Sequence, residues 1–175
     1  ATIPPRETVT IHYTIQAPQD ETLRGTYWSI LMIEPIPESS PESVDADPTR
    51  TTLGVRQVLR YGVQIVAHAG ATGTRQLRFS RFQLTAENGR KVLAVDLENG
   101  GERWLRPNLW VELYDAAGNY VGKFESGAQR LYPGTSARFR VDLVGVRDAA
   151  YKALIVADSG GDDVFGANVN LDLRE

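Results

Sequence analysis

The chain has no cysteine, one methionine and only two histidines among 175 residues, and each shortage closes off some chemistry. Without cysteine there is no disulfide, no thiol nucleophile and no thiolate metal site. A Ser-His-Asp triad or a zinc centre would need His12 or His68 beside suitable partners. His12 lies on the polar side of an alternating run, where a solvated or structural role is expected. Long apolar runs are also missing: the longest, near Trp28–Ile33, falls far short of the roughly 20 residues that cross a bilayer. Positive charge is in deficit, with 19 Lys and Arg against 22 Asp and Glu and a net charge of −3, which argues against a general nucleic-acid binder. No stretch has a convincing helical period. The first residues, Ala-Thr-Ile, include no charged segment leading into an apolar one, so either a leader has been removed or the sequence is an excised piece.

What the chain has in abundance is a two-residue rhythm. In Leu93–Tyr120, Leu93, Val95 and Leu97 alternate with Ala94, Asp96 and Glu98; Asn99-Gly100-Gly101 interrupts; then Leu109, Val111 and Leu113 alternate with Asn108, Trp110 and Glu112. This predicts a pair of half-buried strands in an antiparallel sheet, closed by a turn at Asp115-Ala116-Ala117-Gly118-Asn119. Short strands with turn signals between them continue, as in a sandwich. Leu77–Thr85 changes phase between Phe79 and Phe82, so a bulge is expected near Ser80. Glu87-Asn88-Gly89 and Leu131-Tyr132-Pro133-Gly134 read as turns, the latter of type II. Tyr120–Phe124 reads as a short strand, and Ala137, Phe139, Val141, Leu143, Ala153, Ile155, Ala157, Val169, Leu171 and Leu173 read as inward positions.

Ahead of this lies a first third of different character. Thr8–Gln16 alternates Val9, Ile11, Tyr13 and Ile15 with Thr10, His12 and Thr14 and is expected to be a strand. Gly25–Ile33 is apolar on both faces, which suggests a central strand. Glu34–Thr52 has four prolines and five acidic residues before its first base, Arg50, and is expected to be a mobile loop. Val55–His68 reads as one long strand in which Tyr61, Val63, Ile65 and Ala67 share a face and Gly62 marks a bulge or a close backbone approach. Gly70–Thr74 is small and flexible, a linker. The expected organisation is residues 1–72 as a partial domain and residues 73–175 as a complete one.

Two sets of residues carry a resemblance. Asp148-Ala149-Ala150-Tyr151 is similar to the turn into strand F of immunoglobulin-like domains, where a tyrosine hydroxyl bonds back to the upstream backbone; the position of the antibody cysteine is Ala153. The stretch Tyr27-Trp28-Ser29-Ile30-Leu31-Met32-Ile33-Glu34-Pro35-Ile36-Pro37, followed by Arg60–His68, resembles the end of the first domain of bacterial pilus chaperones of the chaperone–usher type. The lysine which that family carries on its last strand corresponds to Gln64, and its first, arginine-bearing strand has no counterpart in this sequence. The resemblance implies an all-β, immunoglobulin-like antiparallel β-sandwich, one complete domain preceded by part of a second, in the periplasm or outside the cell.

Nothing in the chain gathers catalytic groups at one point, and no cofactor is implied. Asp158, Asp162 and Asp163 offer oxygens to a calcium ion, but their spacing favours a Gly-rich hairpin. Arg75, Arg78 and Arg81 recur every third residue, and with Arg138 and Arg140 suggest an anion-binding face; 14 acidic and 14 basic residues in 73–175 favour mixed surface pairing instead. Trp104 and Trp110 invite a sugar-platform reading. The expected site is a sheet edge at Tyr61, Val63, Gln64 and Ile65 that accepts a protein strand by β-augmentation. The function expected is non-catalytic binding of another protein chain, chaperone-like or in surface assembly; the alternative is a carbohydrate-binding or structural module of a larger secreted protein.

Overall fold

The computed structural model describes residues 6–34, 59–87 and 89–174. Within them the chain is all-β, with nine strands: β1 (Gly25–Ile33), β2 (Tyr61–Ala69), β3 (Leu77–Glu87), β4 (Arg90–Asn99), β5 (Asn108–Tyr114), β6 (Tyr120–Ala128), β7 (Ser136–Asp142), β8 (Ala150–Asp158) and β9 (Val164–Asp172). They form a two-stranded ribbon, β1-β2, a three-stranded sheet, β3-β4-β7, and a four-stranded sheet, β6-β5-β8-β9, all antiparallel. The two larger sheets make an immunoglobulin-like sandwich whose fourth strand, β6, pairs with β5 at the edge of the second sheet.

Alternation explains the core. On β5, Leu109, Val111 and Leu113 are fully buried while Asn108, Trp110, Glu112 and Tyr114 are half-buried. Their cross-strand neighbours on β8 are Ala157, Ile155 and Ala153, so the two leucines each lie beside an alanine and Val111 lies beside Ile155. Leu93, Val95, Leu97, Phe139 and Val141 supply the opposing sheet, and one continuous cluster runs from Leu77 to Leu173. The expected pairing of Leu93–Leu97 with Leu109–Leu113 is corrected: β4 and β5 belong to opposite sheets and their apolar faces meet across the core. Alternation says that a strand has a buried face but not which strand lies beside it.

Several local expectations hold. The β3–β4 register shifts between Phe79 and Arg81, a bulge at Ser80. Tyr132 O accepts from Thr135 N at 3.0 Å with Gly134 at φ +72°, as a type II turn with Pro133 at its second position requires. The Tyr151 hydroxyl donates to Arg147 O at 3.0 Å, the tyrosine corner of immunoglobulin-like sandwiches. At the β5–β6 turn the Asp115 carboxylate accepts from Ala117 N, Asn119 N and Asn119 Nδ2, and these donors hold its pKa below the ordinary value. Strand β6 runs on to Ala128, beyond the short Tyr120–Phe124 expected.

The first third departs most from expectation. Thr8–Gln16 is exposed and joins no ladder among the described residues, so it is not the strand expected there. β1 is not a central strand: it pairs with β2 alone among the described residues, and Tyr27, Trp28, Ile30, Met32 and Ile33 are exposed. β2 begins at Tyr61, and Leu59 and Arg60 lie in no strand, while the part of the expected strand over residues 55–58 lies outside the described residues; its register with β1 runs without a shift, and Gly62 is a close approach rather than a bulge, since a Cβ there would lie 3.3 Å from Ile30 Cγ2. The loop expected over Glu34–Thr52 lies, apart from Glu34, outside the described residues.

Two measurements check this picture. Tyr151→Phe deletes one donor and leaves the Arg147 carbonyl without it, so chemical denaturation should show a loss of about 1–2 kcal/mol with the denaturant slope unchanged. Because the core cluster draws on residues 77–173 alone, residues 73–175 expressed by themselves should unfold in one cooperative transition.

Candidate partner-binding edge

The β1-β2 ribbon has two unlike faces, fixed by its register. Cross-strand pairs share a side, so Thr26/His68, Trp28/Val66, Ile30/Gln64 and Met32/Gly62 lie on one face, and Tyr27/Ala67, Ser29/Ile65, Leu31/Val63 and Ile33/Tyr61 on the other. The first face touches the sandwich through Thr26, His68, Trp28 and Gln64, while Ile30 and Met32 farther along it stay exposed. Trp28 stacks on Tyr132 with ring centroids 5.2 Å apart, and the Tyr132 hydroxyl donates to Gln64 Oε1 at 3.1 Å. Buried Thr26 donates its N–H to Glu102 O at 2.7 Å, and its hydroxyl accepts from Trp104 N at 3.1 Å.

His68 closes this joint. Trp104 Nε1 donates to His68 Nε2 at 3.2 Å, so Nε2 is an acceptor and the proton of the neutral ring sits on Nδ1, which lies 3.0 Å from Thr26 Oγ1. Arg103 Nη1 donates to Gly70 O and Thr72 O, and Gly25 N to Thr72 Oγ1. The backbones meet so closely that Gly25, at φ +74°, has no room for a Cβ against the Glu102 carbonyl, and one on Gly73, at φ +95°, would lie 2.6 Å from Gly25 Cα. Only glycine satisfies both the dihedral and the space.

The other face is bare. Tyr61 is 59% and Val63 44% exposed, Ile65 and Leu31 are half-buried, and Tyr27 and Ile33 are exposed. Each strand of the ribbon has only one ladder neighbour among the described residues, so β1 and β2 each keep an outer edge of backbone N–H and C=O groups without a ladder partner there. Of the four residues expected at the site, Tyr61, Val63 and Ile65 stand together on the bare face, while Gln64 points the opposite way and is spent on Tyr132. Sequence reasoning missed Thr26, Trp28, Glu102 and Tyr132, which hold the edge in place. The signal available was Gly25 and Gly73, each closely packed, at the two ends of the joint.

Other candidates resolve into surface structure. His12 is exposed, outside any strand. Asp158 accepts from Gly160 N at 2.7 Å in the β8–β9 hairpin, and Asp163 pairs with Arg75 at 3.2 Å; among the described residues no group of three potential ligands gathers for a metal. Arg138 makes a two-pronged pair with Asp96 at 2.7 and 2.8 Å, and Arg140 pairs with Glu87, so mixed surface pairing engages Arg75, Arg138 and Arg140. The Arg138 guanidinium holds the Asp96 carboxyl below its ordinary pKa. Trp104 and Trp110 are both half-buried, with Arg130 Cζ 4.9 Å from the first ring centroid and Lys123 Nζ 4.3 Å from the second.

No family model and no curated protein matches the chain. Among solved structures, a β-glucosidase from Streptomyces venezuelae, DesR, in complex with D-glucose is similar at a TM-score of 0.34 and 15% identity, over 59% of this chain and 16% of that one. This chain therefore spans about a sixth of that enzyme's length. Among the described residues, no helix is long and apolar enough to cross a membrane.

Trp104→Phe keeps the packing but removes the Nε1 donor to His68. Amides of β1 and β2 should then exchange with solvent about tenfold faster, the consequence of losing roughly one hydrogen bond, while the thermal midpoint of the sandwich stays within a degree or two.

Proposed function

We propose that this chain is a non-catalytic binding protein that takes up an extended segment of another protein chain along the outer edge of β2. The observation that carries the reading is the ribbon itself: two strands, held at one end by the Thr26, His68 and Trp104 hydrogen bonds, with an edge lacking a ladder partner among the described residues and an apolar face in water. A two-stranded sheet is marginal by itself, and a third strand would both pair the edge and cover Tyr61 and Val63. Main-chain hydrogen bonds would supply the affinity, and the alternation of Tyr61, Val63 and Ile65 would set the register. The resemblance of Tyr27–Pro37 and Arg60–His68 to pilus chaperones supports placing this work in the periplasm or outside the cell, in chaperone-like or surface-assembly duty. A sugar-platform reading has less support, because a cation already stands near the ring of each tryptophan considered for it, Trp104 and Trp110.

The test uses a nine-residue peptide of alternating Val and Thr flanked by lysines. Binding should slow amide exchange at alternate residues of 61–69. Val63→Lys places a charge on the bare face of an edge strand, a device that blocks edge pairing, and Val63 lies outside the core, so the sandwich midpoint should hold while peptide affinity falls at least about tenfold. No change in exchange at 61–69 on adding the peptide would overturn the reading.

A further inference from the structure

The same chain carries a segment whose pattern fits that edge. Thr8–Gln16 has no ladder partner among the described residues and exposes Val9, Ile11, Tyr13 and Ile15 at 43–59%. It is as long as the nine-residue strands β1 and β2. Its apolar side matches the bare face of β2, where Tyr61, Val63, Ile65 and Ala67 follow one another without a polar break. Its polar side, Thr10, His12 and Thr14, meets the opposite face of β2, which carries Gly62, Gln64 and His68 with one apolar residue, Val66. β1 fits less well on both counts, with Ser29 on the bare face and Trp28, Ile30 and Met32 on the docked one.

We propose that the strand β2 receives is Thr8–Gln16 of a second copy of this chain. The inference rests on the strand-addition reading above and names its partner. Its reason is connectivity. To lie antiparallel to β2, the chain's own segment would have to run parallel to β1, and residues 17–24 would then have to travel back along the whole ribbon. The nine steps from Gln16 to Gly25 reach about 32 Å at full stretch, little more than the roughly 29 Å needed to run about 27 Å along the ribbon and about 10 Å across its two strands. The linker is also shortened by a turn in which Leu23 N donates to Asp20 O and Thr22 N to Asp20 Oδ1. The own segment can reach β2 only in the parallel sense, and its linker must then pass the end of the ribbon that Glu102, Arg103 and Thr72 close. A second copy has no such tether and can enter antiparallel, the slightly more stable pairing. Each copy then donates one strand and accepts one, closing as an exchanged pair or running on head to tail.

The experiment is light scattering of the full chain from low to high micromolar concentration, with amide exchange at both ends of the range. The native chain should rise from the mass of one chain to that of two or more, with slowed exchange in residues 8–16 and 61–69 of the associated form. Ile11→Lys with Tyr13→Lys, both outside the core, should keep the thermal midpoint and remain a single chain, yet still take the Lys-flanked peptide on its intact β2. Val63→Lys should lose both association and peptide. A native chain that stays single at every concentration overturns the inference; if it still takes the peptide, strand addition at β2 survives without a second copy, and if it does not, both readings fall. Slowed exchange in residues 8–16 of a single chain assigns the segment to its own chain, and association that persists in the double-lysine variant assigns the contact to another surface. Either result removes the proposal.

Discussion

The buried side-chain amide of Asn99 holds together the end of the sandwich on which everything else in the molecule is mounted. It is fully buried, donates through Nδ2 to Arg103 O at 2.7 Å and Leu131 O at 3.0 Å, and accepts from Gly101 N at 2.9 Å. Its backbone is also engaged, with its N–H on Thr135 O and its carbonyl receiving Gly134 N. One side chain thereby fixes the end of β4, the 99–105 loop and the 131–135 turn, and every polar atom it carries has a partner. An amide so placed stabilises only while all of those bonds are kept, because a buried group left unpaired costs more than a bond contributes.

From that loop the ribbon is hung. Glu102 and Trp104, two and four residues beyond Gly100, make the backbone contacts to Thr26, and Tyr132, in the turn Asn99 also holds, stacks on Trp28. The ribbon takes its position from the sandwich without adding to the sandwich core, whose cluster includes none of its residues. Stability and exposure are divided between the two parts. The sandwich buries its apolar faces against each other and carries the cooperativity, while the ribbon is anchored at the end near Gly25 and Ala69 and leaves the end near Ile33 and Tyr61 in water. A partner strand would gain apolar contact there without disturbing the core.

Surface charge plays a smaller part. The Asp96–Arg138 pair joins directly opposed residues of β4 and β7, and its carboxylate, held below the ordinary pKa, contributes stability above the usual carboxylate range that is lost as acid protonates it. Such pairs on an exposed sheet face set cross-strand register more than they set the depth of the well.

What the sequence determined by itself was whatever depends on neighbours close along the chain. The period of two in Leu109–Leu113, the phase change at Ser80, the Pro133-Gly134 turn and the tyrosine ahead of β8 are local signals, and the structure has a strand, a bulge, a turn and a Tyr151–Arg147 hydrogen bond at those places. Of the site, the shared face of Tyr61, Val63 and Ile65 was legible for the same reason. Only the tertiary structure decided that β4 and β5 face each other across a core, that apolar β1 has β2 as its one ladder neighbour among the described residues, and that Gln64 reaches Tyr132. Those outcomes depend on which surfaces meet across dozens of residues. Alternation states that a face is apolar, and it carries no term for what comes to cover it.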